Sequence, residues 1–446
     1  YNNLISAGSL AKTLSGNIIV NNDLTITSNL DVSAANYSIS VKRNWINNGT
    51  FDAQNGAVIF NGTVAQSLFG SGTTNFNQLD MNNTVGGVSL ASGSYMLNSV
   101  INPLNGDFNT NGQSFIMVSD ASKTARIGSV AATASLSGNF IVQRYITARD
   151  TSFADLCSPV QSSTLLDWDN ELPAISYIHT PPSALASAFT YDETADVYVP
   201  ITASSASLIP GQGFEVFLAG DYSYASLPNT TINAIGVPNQ GDKNFSSLIS
   251  NNVQGWNLVG NPFASNVSWA SIYSASGGAA SGLYDFIEMY DYAIGDWSGY
   301  TSADGIEIGS AQGFWVYGLP GATSLTLSIP ESAKTTTSNS TIKASTIVKP
   351  FFTLKISNNK NAFAHTFKIS ADTDANDGLD TKDLPFRASP NKATPALYSV
   401  VEGKSINVNS FNLANETFEM PVQTKVGFSG TYKIEAAGFD FVEQFI

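Results

Sequence analysis

Residues 30–41 read LDVSAANYSISV and residues 106–118 read GDFNTNGQSFIMV. Each joins two short strand-like runs through a polar corner of Ser, Asn or Gly, and the two stretches echo one another. Working outward, the same grammar fills residues 1–140: Ile18-Ile19-Val20, Leu24-Thr25-Ile26 and Val58-Ile59-Phe60 are all apolar runs between polar corners. This region holds 22 Asn, a residue that tolerates the left-handed corner conformation and hydrogen-bonds its own backbone. A coil of this kind cannot bury its apolar face alone, whereas stacked coils can. The pattern predicts a β-solenoid stalk over 1–140, with inward Asn side chains forming ladders; an ordinary β-sandwich is the alternative.

A second repetition follows. Residues 153–168 (FADLCSPVQSSTLLDW) match 256–269 (WNLVGNPFASNVSW), 189–199 (FTYDETADVYV) match 289–300 (MYDYAIGDWSGY), and 210–219 (PGQGFEVFLA) match 311–317 (AQGFWVY). Order and spacing agree, so two related β units are expected at 141–228 and 229–330. The Pro and Gly of SPV, GNPF and GQGF mark tight corners. Residues 331–349 are rich in Ser, Thr and Lys and read as a linker. Period-two alternation returns at Phe352-Thr353-Leu354-Lys355-Ile356 and predicts a third module, a β-sandwich over 350–446. The fold class is therefore all-β, an N-terminal β-solenoid followed by β-sandwich modules. Residues 439–446 stop inside what reads as a strand. Both ends are expected to be cut or processed from a longer protein, leaving the last sandwich incomplete.

Charge narrows the functional classes. The 446 residues carry a net charge of −15, and only 12% are charged, about half the usual share of ~25%. Residues 1–140 are almost neutral, with six Asp, no Glu and five Lys or Arg. An acidic chain without a basic stripe argues against nucleic acid and against docking to anionic lipid. No apolar run reaches the length of about 18 residues that a membrane-spanning helix needs. Cys157 is the one cysteine, which excludes an internal disulfide. Between Leu156 and Val160 it reads as a small buried hydrophobe rather than a reactive thiol.

Residues 38–51 (SISVKRNWINNGTF) and 56–83 (GAVIFNGTVAQSLFGSGTTNFNQLDMNN) resemble the repetitive β-rich stalks of large secreted surface proteins of Bacteroidota. So do IVQRYITARD at 141–150 and GWNLVGNPFASNVSW at 255–269. NDGLDTKDLPFR (376–387), ALYSVVEGKSINVNSFN (396–412) and GTYKIEAAG (430–438) are similar to the sandwich that precedes the sorting domain of type IX secretion cargo. The sorting domain itself is not seen. The resemblance implies export through a type IX outer-membrane translocon, components of which would be partners, and an extracellular location on the outer cell surface.

Catalytic signatures are missing. The two histidines, His179 and His365, have no context that orients a base, and there is no Gly-x-Ser-x-Gly, His-Glu-x-x-His or Cys-x-x-Cys. Solenoids do host polysaccharide lyases and hydrolases, whose chemistry needs clustered carboxylates. Here Asp23, Asp31, Asp52, Asp80, Asp107 and Asp120 are scattered singly along the sequence. The strongest constellation is Asp372-x-Asp374-x-Asn376-Asp377-Gly378-x-Asp380, with Asp383 beyond it. Oxygen ligands at alternate positions beside a Gly suit Ca²⁺, although the Gly falls one position later than in an EF-hand and Asp383 replaces the bidentate Glu. A solvated acidic turn is the simpler reading. Among the aromatics, Trp256, Trp269 and Trp315 recur at duplicated positions and are expected in the core. Tyr292, Trp297 and Tyr300 flank the Gly295-Asp296 turn and are the candidates for an exposed sugar-stacking platform. The expectation is a non-enzymatic, secreted adhesion or structural protein that binds polysaccharide; the rival is a carbohydrate-active enzyme or its accessory module.

Overall fold

The computed structural model describes residues 1–149, 152–168, 171–172, 187–220, 225–291, 296–319, 321–337, 352–361, 363–372, 375–376, 378–380, 383–389, 392–412 and 419–438. The C-terminal stretch 439–446 and residues 338–349 of the expected linker lie outside them. The chain divides into two compact units, one built from Tyr1–Ala293 and Trp297–Ser345, the other centred on Thr346–Ile446.

The first unit opens with a β-solenoid of about seven turns. Short strands pair in parallel with strands of the coils before and after, so that Leu4, Leu24, Trp45, Leu68 and Leu90 lie one above another at steps of 20 to 23 residues. A second inward column runs Ile18, Ile39, Val58, Leu79, Ile101 and Ile127. Alternation sends every second residue into the core, and Leu24, Trp45, Leu68 and Leu90 are completely buried. Trp45 is the hub of one aromatic cluster, 4.8 Å from Phe51, 5.6 Å from Phe76 and 6.3 Å from Phe60 between ring centroids. Phe108, Phe115 and Phe140 form a second, with centroids 5.2–5.9 Å apart.

The asparagines do form ladders, but at the corners rather than inside. The Asn3 carboxamide accepts from the Asp23 amide, the Asp23 carboxylate from the Asn44 amide, and the Asn44 carboxamide from the Ser67 amide, at 3.1–3.2 Å. Asn17, Asn36 and Asn48 accept in the same way from Ser38, Asn55 and Ser71 on the next coil. A corner amide has no strand partner, so the side chain from the coil below satisfies it. The inward Asn47 and Asn83 do not stack; they satisfy local groups, Asn47 donating to the Thr73 carbonyl and Asn83 to the Val64 carbonyl. The echo between 30–41 and 106–118 is likewise one of corner type. Ile39 belongs to the column of Val58, whereas Ser114 pairs with Ser94 in another column. The two stretches share left-handed corner residues, Ser33 and Asn36 in one, Asn111 and Gly112 in the other.

The solenoid extends past 140. Phe140–Ile146 is its last parallel strand, and Thr230–Gly236, from the expected start of the second β unit, pairs antiparallel with it along its full length. This reversed strand covers an edge that would otherwise offer unpaired backbone groups. Arg144 points inward here, 1% exposed. It reaches the Gly309 corner of the second β unit, where an added Cβ would sit 2.9 Å from its guanidinium. Burial pulls its pKa down to about 10.

The two β units share one topology. Ser152–Leu156, Phe214–Leu218, Ala188–Asp192 and Val197–Pro200 form one four-stranded antiparallel sheet; Trp256–Gly260, Gly313–Gly318, Leu283–Asp291 and Asp296–Tyr300 form the other in the equivalent order. An eight-residue helix, Trp269–Ser276, capped by Ser268 and ended by the left-handed Gly277, decorates the second. The sheets meet about an approximate two-fold axis. Leu156 bridges Gln312 while Val259 bridges Gln212; the Cys157 amide donates to the Ala311 carbonyl while the Gly260 amide donates to the Gly211 carbonyl. Cys157 and Gly260 are equivalent positions and nearly coincide at the axis: a Cβ on Gly260 would lie 2.1 Å from the Cys157 Cβ. One side chain fits there, and it is fully buried; burial pushes its thiol pKa up to about 12.

Two contacts tie the module together. Glu193, in the hairpin after Ala188–Asp192, inserts its carboxylate into the loop at 250–255 of the other unit. It accepts from the Ser250 hydroxyl and from the amides of Asn252, Val253, Gln254 and Gly255 at 2.6–2.9 Å. Residues 331–337, expected as linker, instead form a packed strap. Glu331 accepts from the amides of Val130 and Gly241 and pairs with Lys334 at 2.7 Å. The Lys334 ammonium, its side chain 1% exposed, lies 4.5 Å over the Phe263 ring and donates to the Gly128 carbonyl.

Three outcomes test this account. Trp45→Ala should lower stability by about 3–5 kcal/mol and Asn44→Ala by only about 1 kcal/mol, measured by denaturant unfolding followed by far-UV circular dichroism; equal costs would contradict the division between aromatic core and corner ladder. Gly260→Ala should destabilise severely. Adding Cys157→Gly should restore much of the loss, and adding Cys157→Ala should not, because the clash is with the Cβ. For Glu193, burial raises the pKa, but the amides of Asn252, Gly255 and Val253 and the Ser250 hydroxyl outweigh it and bring it down to about 2. With an unfolded value of about 4.3, its contribution is complete above that pH and is lost as pH falls toward 2. Glu193→Gln should flatten this part of the stability profile.

Candidate functional site

The outward side chains of the solenoid follow from the same register. Ser67, Ser89, Asn109 and Ser137 lie side by side on four successive coils. On another column Thr73, Ser94 and Ser114 do the same, and Asn29 lies beside Thr50. All are at least partly exposed. Neighbouring strands are about 4.8 Å apart, so these rows present uncharged hydroxyl and carboxamide groups at regular spacing on a rigid surface.

The six solenoid aspartates are all engaged in local hydrogen bonds. Asp23 serves the corner ladder. Asp80 accepts from Gln78 and Asn102, Asp107 from Ser135, and Asp120 from Ser122 and the Lys123 amide. Asp31 and Asp52 are register partners on adjacent coils. Each caps its own turn, through the amides of Ser33 and Gln54 respectively, and the Gln54 carboxamide donates to both, at 3.4 and 3.0 Å. This is the one pair of carboxylates that the solenoid register brings together, and nothing in the sequence spacing announced it.

Trp256, Trp269 and Trp315 are core, as expected, at 1%, 0% and 0% exposure. Trp315 packs against Tyr191 and Trp256, and its indole donates to Asp155 across the two units. Of the three residues of the expected aromatic platform, only Tyr300 is described in full, and it is buried. Tyr300 is 2% exposed and belongs to the core of the second β unit. Its place in Asp296–Tyr300, pairing inward, takes its ring away from solvent. Trp297 lies in the same strand, with its side chain outside the described residues, and Tyr292 lies wholly outside them.

In the acidic loop, Asp372 ends the strand Ala364–Asp372, and Asp374 lies outside the described residues, as does the side chain of Asp372. Asn376 is exposed and donates its amide to the Asp380 carboxylate at 2.5 Å. Asp383 is 2% exposed. Its two oxygens accept from the amides of Ser410 at 2.8 Å and Asp380 at 3.0 Å. Burial raises its pKa to about 6 against those two amides, with the Asp380 charge adding to the rise. Asp383 thus organises the turn from within, and among the described residues no group of three His, Cys, Asp or Glu is placed to hold a metal. His365 is also structural: its Nδ1 accepts from the Leu397 amide at 3.3 Å and its ring meets Phe386 edge-on. His179 lies outside the described residues.

Comparison with known proteins returns no matching family model, no matching curated protein and no matching solved structure.

Proposed function

We propose that this chain is a secreted cell-surface adhesion and structural protein whose solenoid wall hydrogen-bonds to polysaccharide. The observation that carries the reading is the set of uncharged outward rows, Ser67–Ser89–Asn109–Ser137 above all. Sugar hydroxyls both donate and accept, and so do Ser, Thr and Asn. A regular row can therefore engage an extended glycan at several points without steering by charge. Export through a type IX-like translocon, and display on the outer surface, rest on the resemblance of the stalk and of the last module to secreted cargo. Calcium at Asp372, Asp374, Asn376, Asp380 and Asp383 belongs to the same proposal as a stabiliser of the last module.

A second reading has one specific observation behind it. The Asp31–Asp52 pair on adjacent coils is the arrangement from which a solenoid glycoside-cleaving site would be built. Both carboxylates are occupied by turn amides and by Gln54, which favours a structural role, and we assign no catalysis to them.

The test is retention of the full chain on a panel of immobilised neutral polysaccharides, with and without Ca²⁺, scored also for new reducing or unsaturated ends. Retention without cleavage is expected. Ser89→Asp and Asn109→Asp should each weaken it roughly tenfold, about 1.4 kcal/mol, without altering the far-UV spectrum. A rise in melting temperature with Ca²⁺ that is lost in Asp380→Asn would place Ca²⁺ in the acidic loop. Cleavage abolished by Asp31→Asn or Asp52→Asn would establish the enzymatic reading, and neither retention nor cleavage would reduce the chain to a spacer.

A further inference from the structure

Among the described residues, the second compact unit is one mixed sheet, where the sequence led to the expectation of a β-sandwich. Its main path runs Val422–Lys425, Ala396–Val401, Lys404–Asn412, Ala364–Asp372, Phe352–Asn358 and Tyr432–Ala437. The first and last are the edges. Among the described residues, Val422–Lys425 pairs only with Ala396–Val401, and Tyr432–Ala437 only with Phe352–Asn358. Between these two edges lies a groove of about 400 Å³, lined by Ile356, Thr424, Val426, Phe428, Tyr432 and Ile434.

The groove is an unfinished piece of core. Ile434 is the register partner of the buried Ile356 and so shares its inward face, yet it is 54% exposed; Val426 is 45% exposed. Only Ile356, Phe367, Ile369 and Leu397 form the fully covered cluster, with Met420, Val422 and Tyr432 half-buried beside it. One more strand along Tyr432–Ala437 would pair the outer backbone groups that have no strand partner among the described residues, and lay alternate side chains over Ile434 and Val426.

The charges beside the groove indicate what that strand carries. Alternation turns Lys433 and Lys425 to the outer face next to Ile434 and Val426, and Lys360 stands 4.7 Å over the Phe428 ring while donating to the Ser429 carbonyl. The nearby acid Glu435 pairs with Lys433 at 2.6 Å and offsets its charge, so the excess positive charge beside the groove is that of Lys425 and Lys360. In a chain of net charge −15 this is a locally basic rim.

We propose that this groove is an acceptor for one extended strand of a partner protein in which apolar and acidic residues alternate. Its apolar side chains fill the groove over Ile356, Val426 and Ile434, its acidic side chains face Lys425 and Lys360, and its backbone extends the sheet at Tyr432–Ala437. This is recognition by strand addition, in which main-chain bonds give affinity and alternate side chains give selectivity.

The experiment is amide hydrogen exchange on the full chain with two probe octapeptides, one alternating Val with Asp and one alternating Val with Lys. The acidic peptide is expected to slow exchange in Tyr432–Ala437 at least tenfold and the basic one to leave it unchanged. Ile434→Asp, at an exposed position, should abolish the effect, and the double variant Lys425→Glu with Lys360→Glu should transfer it to the basic peptide. Full protection of Tyr432–Ala437 before any peptide is added would overturn the proposal, as would equal protection by both peptides or self-association of the chain through this edge in sedimentation. Polysaccharide retention by the solenoid should be unchanged in Ile434→Asp, so this proposal and the adhesive reading stand or fall separately.

Discussion

Register is the constraint on which the solenoid depends. In a parallel stack each strand's backbone groups pair with the coil above and below, and every side chain is held about 4.8 Å from its counterparts. Like must therefore sit on like. Inside, that favours the apolar columns of Leu24, Trp45 and Leu68. Outside, it penalises charge, because identical charges directly opposite one another repel. The scarcity of ionic residues in 1–140, six Asp and five Lys or Arg, is thus a requirement of stacking as much as a surface property. Asp31 over Asp52 is an exception, and the Gln54 carboxamide placed between them is the local remedy. The polar rows that remain are neutral because neutral groups can stack, and a neutral, regular wall is the surface that the proposed adhesive role uses.

The paired β units solve a different problem. Two copies of one sheet bury their aromatic faces on each other about an approximate two-fold axis, the arrangement by which homodimers form self-complementary interfaces. Because the copies are in one chain, their sequences are free to differ where the axis demands it. Cys157 opposite Gly260 is such a place: symmetry would put two side chains in a space that holds one. Likewise the corner residue at positive φ is Gly in one copy, Gly211, and Ala in the other, Ala311. Glu193, filling an amide-lined loop of its neighbour, has no symmetric counterpart among the described contacts.

The sequence disclosed most where the pattern was local and repeated. Short apolar runs and Asn-rich corners foretold the solenoid, because the corner residues and the alternation are both short-range signals. The duplicated WNLVGNPF and GQGF motifs foretold two equivalent sheets, and the three tryptophans foretold core. What escaped was set by partners far away in the chain. Residues 331–337 look like linker because their stabilising contacts, to Val130, Gly128 and Gly241, are remote. Tyr300 resembles an exposed turn aromatic until the sheet that covers it is in place. The Asn ladders could be anticipated from composition but not positioned, since whether an Asn faces in or occupies a corner depends on coil steps that vary from 18 to 28 residues.

The reversed strand Thr230–Gly236 carries one more consequence. It finishes the solenoid, yet it is reached only after the chain has passed through the whole first β unit. That unit is therefore an excursion between two adjacent strands of one sheet, not a bead on a string. As the chain is made from its N-terminus the solenoid would stay open-ended until the excursion had been completed, so closure of the solenoid follows folding of the unit inserted within it. By the same topology, exchange of the first β unit between related proteins would need to carry Thr230–Gly236 along or supply an equivalent lid, which ties the inheritance of the two parts together.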